Sequence, residues 1–322
     1  MRARVFASIV LPLVTACGSD PEPGAEDGDA SETVGEDEAT STSESESDTE
    51  GSSETGEAET SDTQGPADLP TPTGTCPSFA SGNLDFAPAD IGTRTVKLWM
   101  ADEPSPGGPL ILYWHAYTSA PDEVVISLSP AVIAEITAAG GVIAAPYPAG
   151  DVGQFPWFVV NGSNRQDDML LADEIVACAI QEVGIDPNRI HTSGMSAGGL
   201  QTVAFSMARS RYLASVASFS GGVFSPLAFE DPSNHFAAMI FHGGDQDIFG
   251  GTVNFKELSI NWFEELIDNG NFAFMCDHGG GHTIPQGVGD DVWRFFQDHP
   301  FGTDPEPYGE GLPAEFPSYC GL

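Results

Sequence analysis

Serine is a weak nucleophile until something takes its proton, so a serine that does chemistry must be exposed, aimed and within reach of a base. Ser196 has the context for the first two requirements. It lies in Gly194-Met195-Ser196-Ala197-Gly198-Gly199, the pattern of a nucleophile elbow, a turn so sharp that only glycines fit on either side. Such a turn lifts the hydroxyl clear of its own backbone. It also aims the unpaired N–H groups of the following helix at the point where an oxyanion would develop. The five-residue pattern alone is common, and a glycine-rich strand-to-helix turn without chemistry is the bland alternative. Here residues 189–193 suit a strand and residues 200–208 suit a helix, so the pattern sits where an elbow must be.

A serine of this kind needs a base, and the base needs an acid to hold its tautomer. Two downstream stretches offer them. One is His242-Gly243-Gly244-Asp245-Gln246-Asp247-Ile248, and the other is Asp277-His278-Gly279-Gly280-Gly281-His282-Thr283-Ile284-Pro285. The order along the chain is therefore serine, acid, histidine. His282 follows three glycines that let its loop bend back toward Ser196, so it is the expected base. His278 lies at the strand end and suits a structural hydrogen bond. Asp247 is the expected acid, further along its loop and followed by an apolar residue, with Asp245 as a turn former and the alternative. Cys276, Asp277, His278 and His282 are also potential metal ligands. A histidine pair four residues apart needs a helix to share a face, however, and three glycines oppose one. No metal or organic cofactor is expected.

These motifs, together with Asp186-Pro187-Asn188-Arg189-Ile190 leading into the elbow, resemble the polyhydroxybutyrate depolymerase and feruloyl/acetylxylan esterase group of secreted α/β-hydrolases. The resemblance spans residues 95–300 and rests on the Ser196 elbow, His242-Gly243 before an acid, and Gly280-Gly281-His282-Thr283-Ile284-Pro285. It implies the α/β-hydrolase fold and a Ser196–His282–Asp247 triad that cleaves carboxylic esters. It also implies an oxyanion hole, placed by position at the backbone N–H groups of Tyr117 and Ala197. The chain departs from the family in reading His115-Ala116-Tyr117 where His-Gly is usual, and Ile284 where a tryptophan is usual. The acid also stands one residue further from its His-Gly.

The elements that must position these residues alternate. Apolar runs at 95–100, 109–114, 141–146, 213–219, 237–242 and 272–276 read as strands. Residues 133–139, 167–183, 255–269 and 290–297 read as helices, the second with Asp167 and Asp168 in its first turn and Gly184 as its stop. Alternation of this kind predicts an α/β domain with a mostly parallel sheet covered on both faces. In such sheets ligands bind outside the carboxyl ends of the strands, where every candidate above falls. Trp157 and Phe158 fit either the core or the wall of an acyl pocket. His115, His191, His235 and His299 stand alone and read as structural.

The chain has 322 residues and a net charge of −38. Residues 18–75 hold 18 acidic and no basic residues, leaving 30 acidic against 8 basic in residues 76–322. Such a balance excludes binding to a phosphate backbone, so no nucleic-acid partner is expected. Arg2 and Arg4 followed by an apolar run too short to span a membrane describe a signal peptide over residues 1–17. Val14-Thr15-Ala16-Cys17-Gly18 resembles the bacterial lipobox, in which the cysteine is lipidated. That resemblance implies an exported protein held at the cell envelope by a lipid anchor on Cys17. Residues 18–75 are too polar to bury a core and are expected to form a disordered acidic spacer. The hydrolase domain is expected over residues 76–322.

Four cysteines remain, Cys76, Cys178, Cys276 and Cys320, and an even number in an exported domain favours two disulfides with three possible pairings. Cys76 with Cys320 would staple the ends of the domain, and Cys178 with Cys276 would steady the histidine loop. The expected activity is hydrolysis of carboxylic esters from extracellular polysaccharide or polyester. A serine peptidase on the same fold and a non-catalytic binding lipoprotein are the alternatives.

Overall fold

The computed structural model of the chain describes residues 65–322. The expected signal peptide, Cys17 and the expected spacer up to residue 64 lie outside the described residues. Two short strands, β1 (Gly82–Phe86) and β2 (Arg94–Trp99), open the fold, followed by β3 (Leu110–Trp114), α1 (Val124–Ala138) and β4 (Val142–Pro146). Then come α2 (Asp167–Val183), β5 (Ile190–Met195), α3 (Ala197–Ala208), β6 (Ser215–Phe219) and β7 (Ala237–His242). A small hairpin of β8 (Ile248–Phe249) and β9 (Val253–Asn254) precedes α4 (Phe255–Asp268), β10 (Ala273–Asp277), α5 (Gly289–Asp298) and β11 (Cys320–Gly321).

The main sheet has nine strands in the order β1-β2-β4-β3-β5-β6-β7-β10-β11. It is parallel from β4 through β10, with antiparallel strands at both edges. Side chains on a strand alternate between faces, and that period sorts the core into two layers. Leu110, Leu112 and Trp114 of β3 join α2, α3 and α4 through Ile175, Val203, Phe205 and Trp262. Ile111 and Tyr113 join α1 and α5 through Val132, Ile136, Val292 and Phe296. Burial on both faces is why β3 reads as an unbroken apolar run.

The expected helix at 167–183 is α2, ended by Gly184 in the left-handed region at φ 74°. Helix α1 starts nine residues before the expected 133, at Val124, because Pro130 hides its first turn in the sequence. The residue before a proline is pushed out of the α region. Ser129 leaves the helix with an extended ψ of 155°, at φ 60°, and the helix resumes beyond it with the Ser129 hydroxyl accepting the Val132 N–H. The short edge strand β1, the hairpin and the two-residue β11 carry too little pattern to be expected.

The structured part reaches back beyond Cys76, into residues assigned to the spacer. Glu174 of α2 is buried and needs partners. Thr73 supplies its backbone N–H at 2.8 Å and its hydroxyl at 2.7 Å, and Gly74 donates at 2.9 Å. Leu69 packs on the core beside them.

Both expected disulfide pairings are overturned. Cys76 is bonded to Cys178, and Cys276 to Cys320. The reason is the sheet itself. Cys178 and Cys76 belong to the layer with α2, whereas Cys276 and Cys320 belong to the layer with α1 and α5. A nine-stranded sheet stands between the partners that sequence position suggested. One bridge ties the entry segment to α2, and the other holds β11 on β10. Non-reducing peptide mapping should therefore yield a Cys76–Cys178 fragment and a Cys276–Cys320 fragment. A fragment joining Cys178 to Cys276 would contradict this arrangement.

Candidate active site

Ser196 sits between β5 and α3 at φ 58°, ψ −117°, a conformation that costs on the order of 1–3 kcal/mol for a residue with a side chain. The surroundings hold it there. The Ser196 N–H donates to the Phe219 carbonyl at 2.9 Å, and the Ser196 carbonyl accepts the Leu200 N–H at 2.8 Å. The flanking glycines are obligatory by contact. A β-carbon on Gly198 would stand 1.8 Å from the Trp114 carbonyl oxygen, and one on Gly199 would stand 2.6 Å from that of Phe219.

His282 reaches this serine. Its Nε2 lies 2.8 Å from Ser196 Oγ, and its Nδ1 lies 2.7 Å from Asp247 Oδ1. The imidazole stacks on Phe255 at 4.5 Å. Its loop is hooked to the acid's loop, the Gly281 N–H donating to the Gly243 carbonyl at 2.9 Å. A β-carbon on Gly243 would fall 1.9 Å from the Gly281 oxygen, so the two loops meet backbone to backbone.

Geometry separates the two aspartates. Asp247 is fully buried, whereas Asp245 is exposed and pairs with Lys256 at 2.7 Å. Asp247 Oδ2 accepts the Ser220 hydroxyl and the Gly243 N–H, both at 2.8 Å. Burial opposes the charge of Asp247 most, but hydrogen bonds from His282, Gly243 and Ser220 outweigh it and hold the carboxyl below the usual aspartate range. His278 accepts the Gly280 N–H on Nδ1 at 3.2 Å and packs edge-on near Tyr319 at 6.3 Å. Cys276 is held in a disulfide, and among the described residues no group of three or more His, Cys, Asp or Glu side chains could hold a metal.

Ser220 was not expected. It is buried at φ 46° at the end of β6, beside the elbow. A serine followed by Gly221-Gly222 at a strand end was the signal available in the sequence.

Ala197 opens α3, where an N–H has no partner within the helix. For Tyr117 the peptide plane decides. The Ala116 carbonyl is occupied by the Ser119 N–H at 3.1 Å and by His115 Nδ1 at 2.8 Å. In a trans peptide the N–H points opposite to the carbonyl, so the Tyr117 N–H is turned away from these contacts. Among the described residues neither the Tyr117 nor the Ala197 amide donates to an acceptor.

The sequence matches no family model, and no curated protein matches it. Solved structures match it by shape. A pOPH variant in complex with DMSO is 17% identical, covers 76% of this chain and 94% of its own, and superposes with a TM-score of 0.61. Native sOPH gives 17%, 77%, 95% and 0.59. A thermostable esterase gives 16%, 68%, 62% and 0.50. The chain has the α/β-hydrolase fold.

In this α/β-hydrolase fold the serine, acid and histidine follow β5, β7 and β10, at the carboxyl ends of parallel strands. A cavity of about 440 Å³ opens over Ser196 and His282, walled by Tyr117, Ile126, Phe249 and Ile284. Among the described residues its lining includes no lysine or arginine. Trp157 and Phe158 do not line it. Trp157 is buried core, packed edge-on against Trp114 at 5.0 Å and donating from Nε1 to the His115 carbonyl. Aromatic character at the cavity comes from Tyr117 and Phe249, with Phe155 behind Tyr117 at 5.1 Å.

Gly198→Ala is expected to destabilise the fold by on the order of 3 kcal/mol or more. Gly150→Ala, whose added carbon meets nothing within 4 Å, should stay within about 0.5 kcal/mol. Thermal unfolding of the two variants checks this. The lowered Asp247 pKa also has a definite sign. Its ionised form stabilises the folded state above the ordinary aspartate pKa, and this contribution is lost as pH falls through the folded value. The stability gap between wild type and Asp247→Asn should therefore shrink between about pH 5 and pH 2. Urea unfolding that found a constant gap over that range would contradict it.

Proposed function

We propose that this protein is an exported serine esterase in which Ser196, His282 and Asp247 form the catalytic triad. The single observation that carries the reading is the unbroken line from buried Asp247 through His282 to Ser196 Oγ, with links of 2.7 and 2.8 Å. His282 Nε2 takes the serine proton as Oγ attacks the ester carbonyl. Asp247 keeps the proton on Nδ1 and stabilises the imidazolium that forms. The Tyr117 and Ala197 amides hold the oxyanion, His282 returns the proton to the leaving alcohol, and water releases the acyl group by the same steps in reverse. No metal or organic cofactor enters this scheme.

The cavity supports a neutral ester as substrate. Its walls are mostly apolar and aromatic, with the carboxylate Glu123 among them, and among the described residues no lysine or arginine lines it to hold an anionic group. A thermostable esterase among the structures of similar fold adds support. For export, support comes from the signal-like residues 1–17, the lipobox-like Cys17 and two disulfides of the kind that persist in oxidising compartments. A lipid anchor on Cys17 would hold the enzyme at the envelope, with the acidic spacer between anchor and domain. Material outside the cell, acylated polysaccharide or polyester, is then the substrate within reach.

Ser196→Ala should lose hydrolysis of p-nitrophenyl acetate by several orders of magnitude while keeping its melting temperature within a few degrees. Wild-type protein should be labelled at Ser196 by a fluorophosphonate probe. Full activity in Ser196→Ala would sink the mechanism, and an unlabelled wild type would favour a binding role.

A further inference from the structure

Two successive peptide units shape the loop after β3, and together they carry four polar groups. The first joins His115 to Ala116. Its carbonyl accepts Trp157 Nε1–H at 3.0 Å, and its N–H donates to Glu123 Oε1 at 2.9 Å. The second joins Ala116 to Tyr117, and its carbonyl is held by Ser119 and His115 as described above. Only the fourth group, the Tyr117 N–H, is left without a partner among the described residues. The direction of that amide is thus set by the three that are tied down.

Glu123 is the unusual member of this set. Among the described residues it is the one carboxylate lining the cavity, and it is buried. It stands at the start of α1, and its Oε1 also accepts the Tyr113 hydroxyl at 3.1 Å, from the strand that feeds the loop. A buried carboxylate beside a forming oxyanion is unfavourable for electrostatics, so its presence there calls for a geometric reason. Burial raises its pKa more than the hydrogen bonds it accepts lower it, which reduces that conflict.

We propose that Glu123 is a positioning residue for the oxyanion hole: by gripping the Ala116 N–H it fixes the peptide ahead of Tyr117 and so aims the Tyr117 amide at the reacting carbonyl. This rests on the reading of Ser196 as the nucleophile of an esterase. What matters is the reach of the acceptor and not its charge. The arrangement acts on the transition state, where the oxyanion exists, and leaves ground-state binding alone.

Glu123→Asp and Glu123→Gln in the full chain separate reach from charge. The aspartate keeps the charge and withdraws the acceptor by one methylene; the glutamine keeps an acceptor oxygen at full reach and removes the charge. With p-nitrophenyl acetate, Glu123→Asp should lose about 10- to 100-fold in kcat with KM within about threefold. Glu123→Gln should rescue kcat to within about threefold of wild type. Affinity for a boronic-acid inhibitor, whose adduct places an oxygen in the oxyanion hole, should fall in parallel with kcat in the aspartate variant. Wild-type kcat in a folded Glu123→Asp, equal losses in both variants, or a loss carried by KM would each overturn the proposal. If Glu123→Asp does not fold, Glu123→Leu takes its place, with a kcat-specific loss supporting the proposal and wild-type kcat overturning it. A wild-type chain without esterase activity would instead defeat the reading of the site on which the proposal rests.

Discussion

The absence of room for a β-carbon where α3 meets the sheet is the constraint on which the rest of this molecule depends. Gly194 and Gly198 lie against the Trp114 carbonyl of β3, and Gly199 lies against that of Phe219 in β6. Contact this close lets a helix start directly over the sheet, with its free N–H groups facing the strand ends. It forces Ser196 into a strained backbone conformation that the hydrogen bonds on either side of it maintain. The neighbours of that contact are also the strands that contribute next. Strand β3 runs on into the loop bearing Tyr117, and β6 is followed at once by Ser220, which holds Asp247.

The second constraint is electrostatic. A buried, unpaired carboxylate is expensive, several kcal/mol in a real protein, and Asp247 is fully buried. It is tolerated because three donors from three segments converge on its two oxygens. Those donors tie the ends of β6 and β7 to the loop after β10, so the carboxylate organises the loops that hold it. The same logic applies on the other side of the cavity. There Glu123 meets donors from β3 and from the loop after it. Two buried carboxylates thus brace the two sides of one cavity, one through a histidine and one through a backbone amide.

Much of this was legible along the chain because it is local. The strand before Ser196, the helix after it and the extent of α2 follow from periodicity, capping and glycine placement over short windows, while the order serine, acid, histidine matches what the family resemblance implies. Asp247 over Asp245 was legible only as a preference. What settles their different geometry is burial and the proximity of Lys256, which no reading of a six-residue loop contains. The first turn of α1 was hidden by Pro130, since a kink at Ser129 resembles a helix boundary until both pieces are seen packed on one face. Trp157 and Phe158 were ambiguous for a related reason: an aromatic pair reads the same whether it walls a cavity or fills a core.

By itself the sequence determined the α/β alternation, the elbow, the identity of the triad candidates and the acidity that sets this chain apart from nucleic-acid binders. Each depends on residues near one another in the chain or on composition. The tertiary structure alone decided which cysteines pair, because a sheet separates Cys178 from Cys276 and distance along the chain carries no record of which face a residue occupies. It alone brought Ser220 and Glu123 to the site. Neither belongs to a motif, and both matter only through contacts closed across the fold, where a buried charge must find its donors and a backbone amide must be left with none.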